Sequence, residues 1–259
     1  MKQTKQTSIP ESKIIFITGT DTGVGKTLLT ALLLADLRQT GRCALALKPF
    51  SSGERHDAEL LHQLQGGGLT LDQINPFHFP EAIAPFVAAR KHRRKIQLET
   101  VLAHIRSVLS RPLSAIQNPK SKIQNSCLLI EGAGGLLAPL GERYTNLDLI
   151  RNLHCKTIVV APNQLGTINH TWLTVRALQS QTSTLIRHSP ITCVLMNLLH
   201  ADLSSRSNAA VLSDLLNPVP VFSLPHIAGL TALMPTPNCI TQIRRSSRGL
   251  RNILRALVS

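Results

Sequence analysis

A glycine- and threonine-rich turn between two apolar segments constrains this chain more than any other feature. The turn reads GTDTGVGKT over residues 19–27, between the apolar run 14–17 and a periodic apolar segment that begins at Leu28. A strand, turn and helix in this order direct backbone N–H groups and the positive end of the helix dipole at one point. Lys26 would reach terminal phosphates there, and the Thr27 hydroxyl would contact a magnesium ion. An ordinary glycine turn does not explain this lysine and threonine, so we predict a phosphate-binding loop.

Apolar runs and helical patterns alternate along the rest of the chain. Near-continuously apolar strands separated by helices are typical of a parallel sheet covered on both faces. We therefore predict an α/β fold with a doubly wound, mostly parallel sheet. Its three α/β/α layers would be P-loop NTPase-like (Rossmann-like). This fold would form one domain over residues 13–259, after a disordered arm at 1–12. The predicted strands are 13–18, 43–47, 127–130, 157–161, 191–196 and 219–224. The predicted helices are 26–40, 98–109, 146–153, 168–179 and 205–216, with residues 50–53 a loop and 74–89 a loop with a short helix.

Each predicted strand is followed within two residues by a polar residue or a glycine. In open α/β sheets the ligand binds beyond the carboxyl ends of the strands, so these residues are candidates for a site. Glu131 follows the run Leu-Leu-Ile and precedes Gly-Ala-Gly-Gly, where an acidic residue would hold magnesium; the alternative is a solvent-facing charge. Asp57 precedes a helical pattern and, from its position alone, is an N-cap. In a site it would supply a second carboxylate to the same metal.

Lys48 ends a predicted buried strand and precedes proline, which would direct its charge into the crevice. It could fix a carboxylate, a carbamate or a phosphate, with Ser52 and Gly53 adding hydrogen bonds. The alternative is a lysine that snorkels from a sheet edge. Residues 166–169 open a later helix, whose free N–H groups suit a substrate carboxylate unless they are simply capped.

The composition excludes some classes of protein and leaves others open. Five cysteines without a CxxC motif indicate free thiols in a reducing compartment, and the polar first dozen residues resemble no secretory signal. We expect a cytoplasmic protein. The net charge of +14 would suit nucleic acid or an anionic membrane, but background composition explains it equally well, and we expect neither partner. Residues 240–259 are predicted to form a basic C-terminal helix or tail; Leu250, Ile253, Leu254 and Leu257 fall at helical spacing, favouring a packed helix over a membrane-surface one.

Four motifs in order resemble one family. GTDTGVGKT at 19–27, KPFSSG at 48–53, EGAGG at 131–135 and LGTINH at 165–170 together resemble the ATP-dependent dethiobiotin synthetases, over about residues 13–227. The resemblance implies a homodimeric cyclo-ligase of biotin biosynthesis, with ATP and Mg2+ as cofactors. Its substrates would be 7,8-diaminopelargonic acid and CO2, and its products dethiobiotin, ADP and phosphate. Gly23 stands where many members of the family carry a larger residue, a difference that we expect the loop to tolerate.

The resemblance also implies the role of each site residue. Lys48 and Lys26 would be catalytic, and magnesium would bind Thr27, Asp57 and Glu131. The substrate would contact Thr22, Lys48, Ser52, Gly166 and Asn169. The nucleotide would contact Thr22, Gly23, Val24, Gly25, Lys26, Thr27, Leu28, Glu131, Gly132, Ala133, Gly134, Asn197, Pro225, His226 and Ile227.

Two other classes share the phosphate loop. Partition-type ATPases that bind DNA or membrane typically carry a lysine where this chain has Asp21, and KPFSSG has no role in such a switch. Amidotransferase-linked synthetases need a glutaminase domain, for which this chain has no room. The basic charge is the one feature that favours a partition-type ATPase.

Overall fold

The computed structural model describes residues 14–110, 127–180, 190–227, 241 and 251–258, with only the backbone of 251–253. The predicted N-terminal arm at 1–12 and most of the predicted basic tail lie outside these residues. The described strands are β1 (Ile14–Gly19), β2 (Ala44–Leu47), β3 (Phe50–Ser52), β4 (Phe77–Phe79), β5 (Cys127–Glu131), β6 (Pro139–Gly141), β7 (Tyr144–Thr145), β8 (Lys156–Asn163), β9 (Ile191–Asn197) and β10 (Val221–Leu224).

The helices interleave with these strands, as the alternating pattern predicts. The described α-helices are α1 (Lys26–Gln39), α2 (His56–Gln65), α3 (Leu71–Ile74), α4 (Pro85–Lys91), α5 (Leu98–Leu109), α6 (Asn146–Leu153), α7 (Thr167–Gln179), α8 (Asn208–Leu216) and α9 (Arg251–Val258), with a 3-10 turn at Leu203–Arg206. None of the described helices is long and apolar enough to cross a membrane.

Six strands form one parallel sheet in the order β10-β9-β8-β1-β5-β2. β1 lies at the centre, with Ile17 opposite Glu131 of β5 and Gly19 opposite Val160 of β8. Because all six strands are parallel, their carboxyl ends lie along the same edge of the sheet. The predicted three-layer α/β/α fold is confirmed, and this edge collects the motifs that follow the strands.

The core is aliphatic and centres on β1 and α1. α1 buries leucines on several sides, because it packs on the sheet, on α2 and on α9. Leu254 and Leu257 of α9 are fully buried in this core. Part of the basic C-terminal segment therefore packs on the body as a helix.

The segment at residues 50–53 differs from the prediction. Instead of a loop, residues 50–52 form β3, which pairs in parallel with β4 in a separate two-stranded sheet. Phe50 stacks on Phe77 with 4.9 Å between ring centroids, so burial of two aromatic rings stabilises the pairing. Three residues are too few to show a strand period in the sequence. The β6–β7 hairpin is equally short and was not predicted.

Candidate active site

The phosphate-binding loop has the backbone that its glycines require. Gly23 and Gly25 have φ of 74° and 99°, in the left-handed region that favours glycine. Gly25 is the N-cap of α1, and none of the described side chains caps this helix end. The first N–H groups of α1 are thus directed at the mouth of the loop without a side-chain acceptor, which is the arrangement that binds phosphate.

Lys26 folds back over the loop. Its Nζ donates to the Asp21 carbonyl oxygen at 2.7 Å, and the residue is buried. Burial lowers the pKa of Lys26 to about 8, against the opposing influence of Glu131. The Asp21 carboxylate accepts a hydrogen bond from the Thr22 backbone N–H at 2.7 Å, so it shapes the loop locally.

Lys48 lies between two carboxylates at the end of β2. Its Nζ donates to Asp57 Oδ2 and to Glu131 Oε1, each at 2.5 Å. Lys48 is 7% exposed and Glu131 is fully buried, while the Asp57 side chain is 38% exposed on α2. Residues from three separate motifs of the sequence thus form one charged cluster.

The opposite charges in this cluster stabilise one another. Burial acts to lower the pKa of Lys48, but Glu131 and Asp57 outweigh it and hold this pKa above the ordinary lysine value. Burial likewise acts to raise the pKa of Asp57, and Lys48 outweighs it and holds this pKa below the ordinary value. At neutral pH Lys48 is therefore an ammonium group beside an ionised Asp57 carboxylate.

The oxygen atoms around Thr27 fit a magnesium ion. The Thr27 hydroxyl donates to Glu131 Oε1 at 2.7 Å, and Thr27 also contributes, after Lys48, to lowering the pKa of Asp57. Glu131 Oε2 is buried and has no hydrogen-bond partner among the described residues. An unpaired buried carboxylate oxygen is costly, and a hard cation would satisfy it. Two carboxylates and a hydroxyl are donors that Mg2+ prefers.

Asn75 holds the segment that carries Lys48. Its Nδ2 donates to the Lys48 carbonyl oxygen and its Oδ1 accepts from the Ser51 hydroxyl, both at 2.7 Å. Arg55 Nε donates to the same Oδ1 at 3.1 Å. One buried amide therefore fixes both the end of β2 and the middle of β3, and with them the direction of the Lys48 side chain.

Asn146 holds the glycine-rich segment after β5 in the same way. Its Nδ2 donates to the carbonyl oxygens of Ala133 and Gly135, both at 2.8 Å. A Cβ atom on Gly132 would lie 2.7 Å from Asn146 Oδ1 and 3.0 Å from a ring carbon of Phe16. The segment therefore needs glycine at position 132 in order to pack this closely.

A cavity of about 730 Å³ opens beside the cluster. Its polar wall includes Thr22, Lys48 and Asp57, and its apolar wall includes Ile83, Leu137 and Leu173. The buried Ser52 hydroxyl has no partner among the described residues, and Ser52 also lines the cavity. The cavity thus combines a cationic group, a phosphate-binding loop and an aliphatic surface.

Other residues implied by the family resemblance lie elsewhere along the same edge of the sheet. Gly166 is the left-handed N-cap of α7, and Asn169 is exposed in its first turn; neither lines the cavity. Asn197 ends β9, and residues 225–227 follow β10. Their roles remain predictions.

Residue-by-residue reasoning missed four asparagines that organise this edge. Asn75 and Asn146 hold backbone, and Asn163 and Asn208 form a chain of amides with Asn197. Asn163 falls within a segment that the strand-end rule selects, which is a weak signal. The others lie far along the chain from their partners, and no local pattern marks them.

The chain matches known proteins over most of its length. A family model described as an AAA domain matches residues 13–233. The ATP-dependent dethiobiotin synthetase BioD of Anaeromyxobacter dehalogenans (strain 2CP-C) is 37% identical over 217 residues, which cover 82% of this chain and 89% of that protein. The protein of the same name from Bacillus subtilis (strain 168) is 38% identical over 170 residues, 64% of this chain and 68% of that protein.

Two solved structures share the fold at low identity. The MinC:MinD cell division protein complex of Aquifex aeolicus matches with a TM-score of 0.53 and 14% identity, over 93% of this chain and 96% of that chain. The pNOB8 ParA bound to nonspecific DNA matches with a TM-score of 0.51 and 13% identity, over 93% and 99%. At these identities the likeness concerns the fold alone. The sequence relatives go further, and this chain belongs to the ATP-dependent dethiobiotin synthetase family, whose members are P-loop ligases of biotin biosynthesis.

Proposed function

We propose that this protein carboxylates 7,8-diaminopelargonic acid with CO2 and closes the ureido ring of dethiobiotin, converting ATP to ADP and phosphate with Mg2+. The observation that carries the proposal is the position of Lys48. It is a buried ammonium group between Asp57 and Glu131 that faces a cavity shared with the phosphate-binding loop. Such a charge suits a carbamate that must react with a terminal phosphate.

The phosphate end of the site would be formed by the loop and the two carboxylates. The loop backbone from Thr22 to Thr27 would bind the ATP phosphates, and Lys26 would turn from the Asp21 carbonyl to the γ-phosphate. Thr27, Asp57 and Glu131 would hold Mg2+. When bound, the ion would neutralise charge on the phosphate oxygens. Phosphoryl transfer asks the protein chiefly for positioning and charge neutralisation, which these residues supply.

The substrate supplies its own nucleophiles in each step. One amine nitrogen attacks CO2 and loses a proton, giving a carbamate whose negative charge Lys48 would hold. A carbamate oxygen then attacks the γ-phosphorus, and the bond to ADP breaks. The second amine attacks the carbamoyl carbon of this mixed anhydride, phosphate leaves, and loss of a proton completes the ring. Protein residues orient and neutralise throughout, and none forms a covalent bond with the substrate.

The hydrocarbon chain and carboxylate of the substrate would extend beyond the cluster. Ile83, Leu137 and Leu173 line the cavity and would contact the chain, while Thr22 and Ser52 would bond the polar end. We assign the carboxylate to the N-terminus of α7 at Gly166 and Asn169. The family resemblance implies a homodimer, and a second copy would supply these residues across the interface.

The surface near α7 supports such a dimer. Leu165 and Leu203 are 81% and 83% exposed, and Leu173 and Leu199 are also exposed. Leu165 lies close to the 3-10 turn that carries Leu203, because its N–H donates to Asp202 Oδ2 at 2.7 Å. An apolar surface of this kind is typical of an interface.

We propose a cytoplasmic location, which suits the free thiols of the described cysteines. We expect no nucleic-acid or membrane partner for the reaction. Asp21 supports this expectation, because its carboxylate bonds within the loop where a partition-type ATPase would present a lysine.

The test is whether ATP hydrolysis depends on the diamine. Purified protein with ATP, Mg2+ and bicarbonate should release ADP only when the diamine is added, and Lys48→Ala should abolish this release while nucleotide still binds. Lys91→Ala is a matched control, because Lys91 is an exposed lysine paired with Glu81. Equal ATPase rates with and without the diamine would contradict the proposal. A salt-sensitive DNA complex with stimulated ATPase would instead favour the partition-type alternative.

A further inference from the structure

Three asparagines form a chain of side-chain amides at the ends of β8 and β9. Asn163 Nδ2 donates to Asn197 Oδ1 at 2.8 Å, and Asn208 Nδ2 donates to Asn163 Oδ1 at 3.0 Å. Asn163 and Asn208 are 3% and 2% exposed, whereas Asn197 is half-buried. Two buried amides therefore support a third that reaches the surface of the edge.

Backbone carbonyls fix the direction of this chain. Asn163 Nδ2 also donates to the Ser205 carbonyl oxygen at 3.1 Å, and Asn208 Nδ2 to the Gln164 carbonyl oxygen at 3.2 Å. A carbonyl oxygen only accepts, so each of these two amides must present its NH2 group to it. If Asn163 rotated its amide, it would lose the bond to Ser205 and place two oxygens together. The atom of Asn197 that faces Asn163 must therefore be its oxygen.

The remaining atom of the Asn197 amide is a donor. Among the described residues, Asn197 Nδ2 has no hydrogen-bond partner. This nitrogen is not buried, so a ligand can reach it. The preceding residue, Met196, abuts the phosphate-binding loop, since a Cβ atom on Gly25 would lie 3.0 Å from its Cγ. A nucleotide whose phosphates are bound by the loop would therefore place its base near the Asn197 amide.

We propose that Asn163 and Asn208 are positioning residues that hold Asn197 with its NH2 group toward the nucleobase, where it donates to N7 of adenine. The proposal rests on the proposed function, in which Asn197 would contact the nucleotide as the family resemblance implies, and it adds the two residues that orient Asn197. An asparagine amide reads adenine by donating to N7 and accepting from the N6 amino group. The Asn197 oxygen keeps one free lone pair beside its bond to Asn163, so both contacts remain available.

The test compares ATP with 7-deaza-ATP, in which a C–H group replaces N7. Isothermal titration calorimetry of the full chain should show that wild type binds 7-deaza-ATP about 3- to 10-fold more weakly than ATP, the range for one neutral hydrogen bond. In Asn163→Leu, ATP should bind more weakly than to wild type. The ratio of the dissociation constants for 7-deaza-ATP and ATP should fall to about one. Equal affinities of wild type for the two nucleotides would overturn the proposal while leaving diamine-dependent turnover untouched.

A purely structural role would have a different signature. Asn163→Leu would then weaken ATP and 7-deaza-ATP by the same factor and preserve their ratio, which would also overturn the proposal. Asn163→Asp provides a second variant, because its carboxylate accepts from Asn208 but cannot donate to Asn197. In Asn163→Asp, too, ATP and 7-deaza-ATP should bind with about equal affinity. Asn152→Leu is a matched control, since among the described residues the Asn152 amide bonds only to the Asp148 carbonyl oxygen within α6; the wild-type ratio should persist.

Discussion

Replacement of Lys48 by methionine should destabilise the nucleotide-free protein strongly, because it removes the cation from a cluster that keeps two carboxylates. Methionine preserves the unbranched apolar stem and removes the ammonium group. Glu131 is fully buried, and the loss of one partner from a buried ion pair costs about 3–5 kcal/mol. Asp57 is 38% exposed and can be hydrated, so its share should be at most about 1 kcal/mol. We expect a loss near 3–5 kcal/mol at neutral pH.

The pH dependence of this loss follows from the shifted pKa values. The folded-state pKa of Asp57 lies below its ordinary value of 3.8, so its contribution to stability is complete above that pH and is lost as the pH falls. The folded-state pKa of Lys48 lies above 10.5, so its contribution is complete below that pH and is lost only as the pH rises through the folded-state value. The difference between wild type and variant should thus be largest near neutrality and smaller at pH 3.

Urea unfolding followed by the fluorescence of Trp172, the only tryptophan, measures these free energies. Addition of Glu131→Gln to the Lys48→Met variant should recover at least half of the loss, since it removes the buried uncompensated charge. Lys91→Met should cost less than about 1 kcal/mol, because its ion pair is exposed. A Lys48→Met variant within about 1 kcal/mol of wild type, or no recovery in the double variant, would refute the electrostatic reasoning.

Three further outcomes follow from the contacts of the site. Gly132→Ala should lower the melting temperature and reduce the free energy of unfolding by about 1–3 kcal/mol, because its Cβ would lie 2.7 Å from Asn146 Oδ1. An unchanged melting temperature would show that this segment can move to accommodate the methyl group. Asn75→Ala should reduce kcat more than ATP affinity, since it frees the backbone of the lysine segment, and equal effects on both would argue against this role. Burial raises the pKa of Cys155 and Cys193 to about 12, so iodoacetamide at pH 8 should modify these thiols only as fast as the protein unfolds. Peptide mass spectrometry measures the modification, and rapid labelling of the native protein would contradict their burial.

The sheet could be predicted because its strands are near-continuous apolar runs that alternate with helical patterns. The strand-end rule then placed Lys48 and Glu131 along one edge without knowledge of the strand order, whereas Asp57 joined them only through the family resemblance. β3 could not be predicted, since a strand of three residues has no period and depends on the distant Phe77 ring for its burial. The amide chain could not be predicted either, because Asn163 and Asn208 are 45 residues apart and their pairing exists only in the folded sheet.

Fold and chemistry carry different information about this protein. The MinD and ParA structures share its fold at 13–14% identity, and a likeness at that level carries no function. The resemblance to the ligase family, by contrast, rests on motifs that include those after β2 and β5.

The central claim concerns the fate of CO2, and isotope incorporation tests it most directly. The purified protein would be incubated with ATP, Mg2+, the diamine and 13C-labelled bicarbonate, and the product analysed by mass spectrometry. The account predicts dethiobiotin that carries the label at its ureido carbon, formed in equal amounts with ADP. Formation of ADP without labelled dethiobiotin would contradict it.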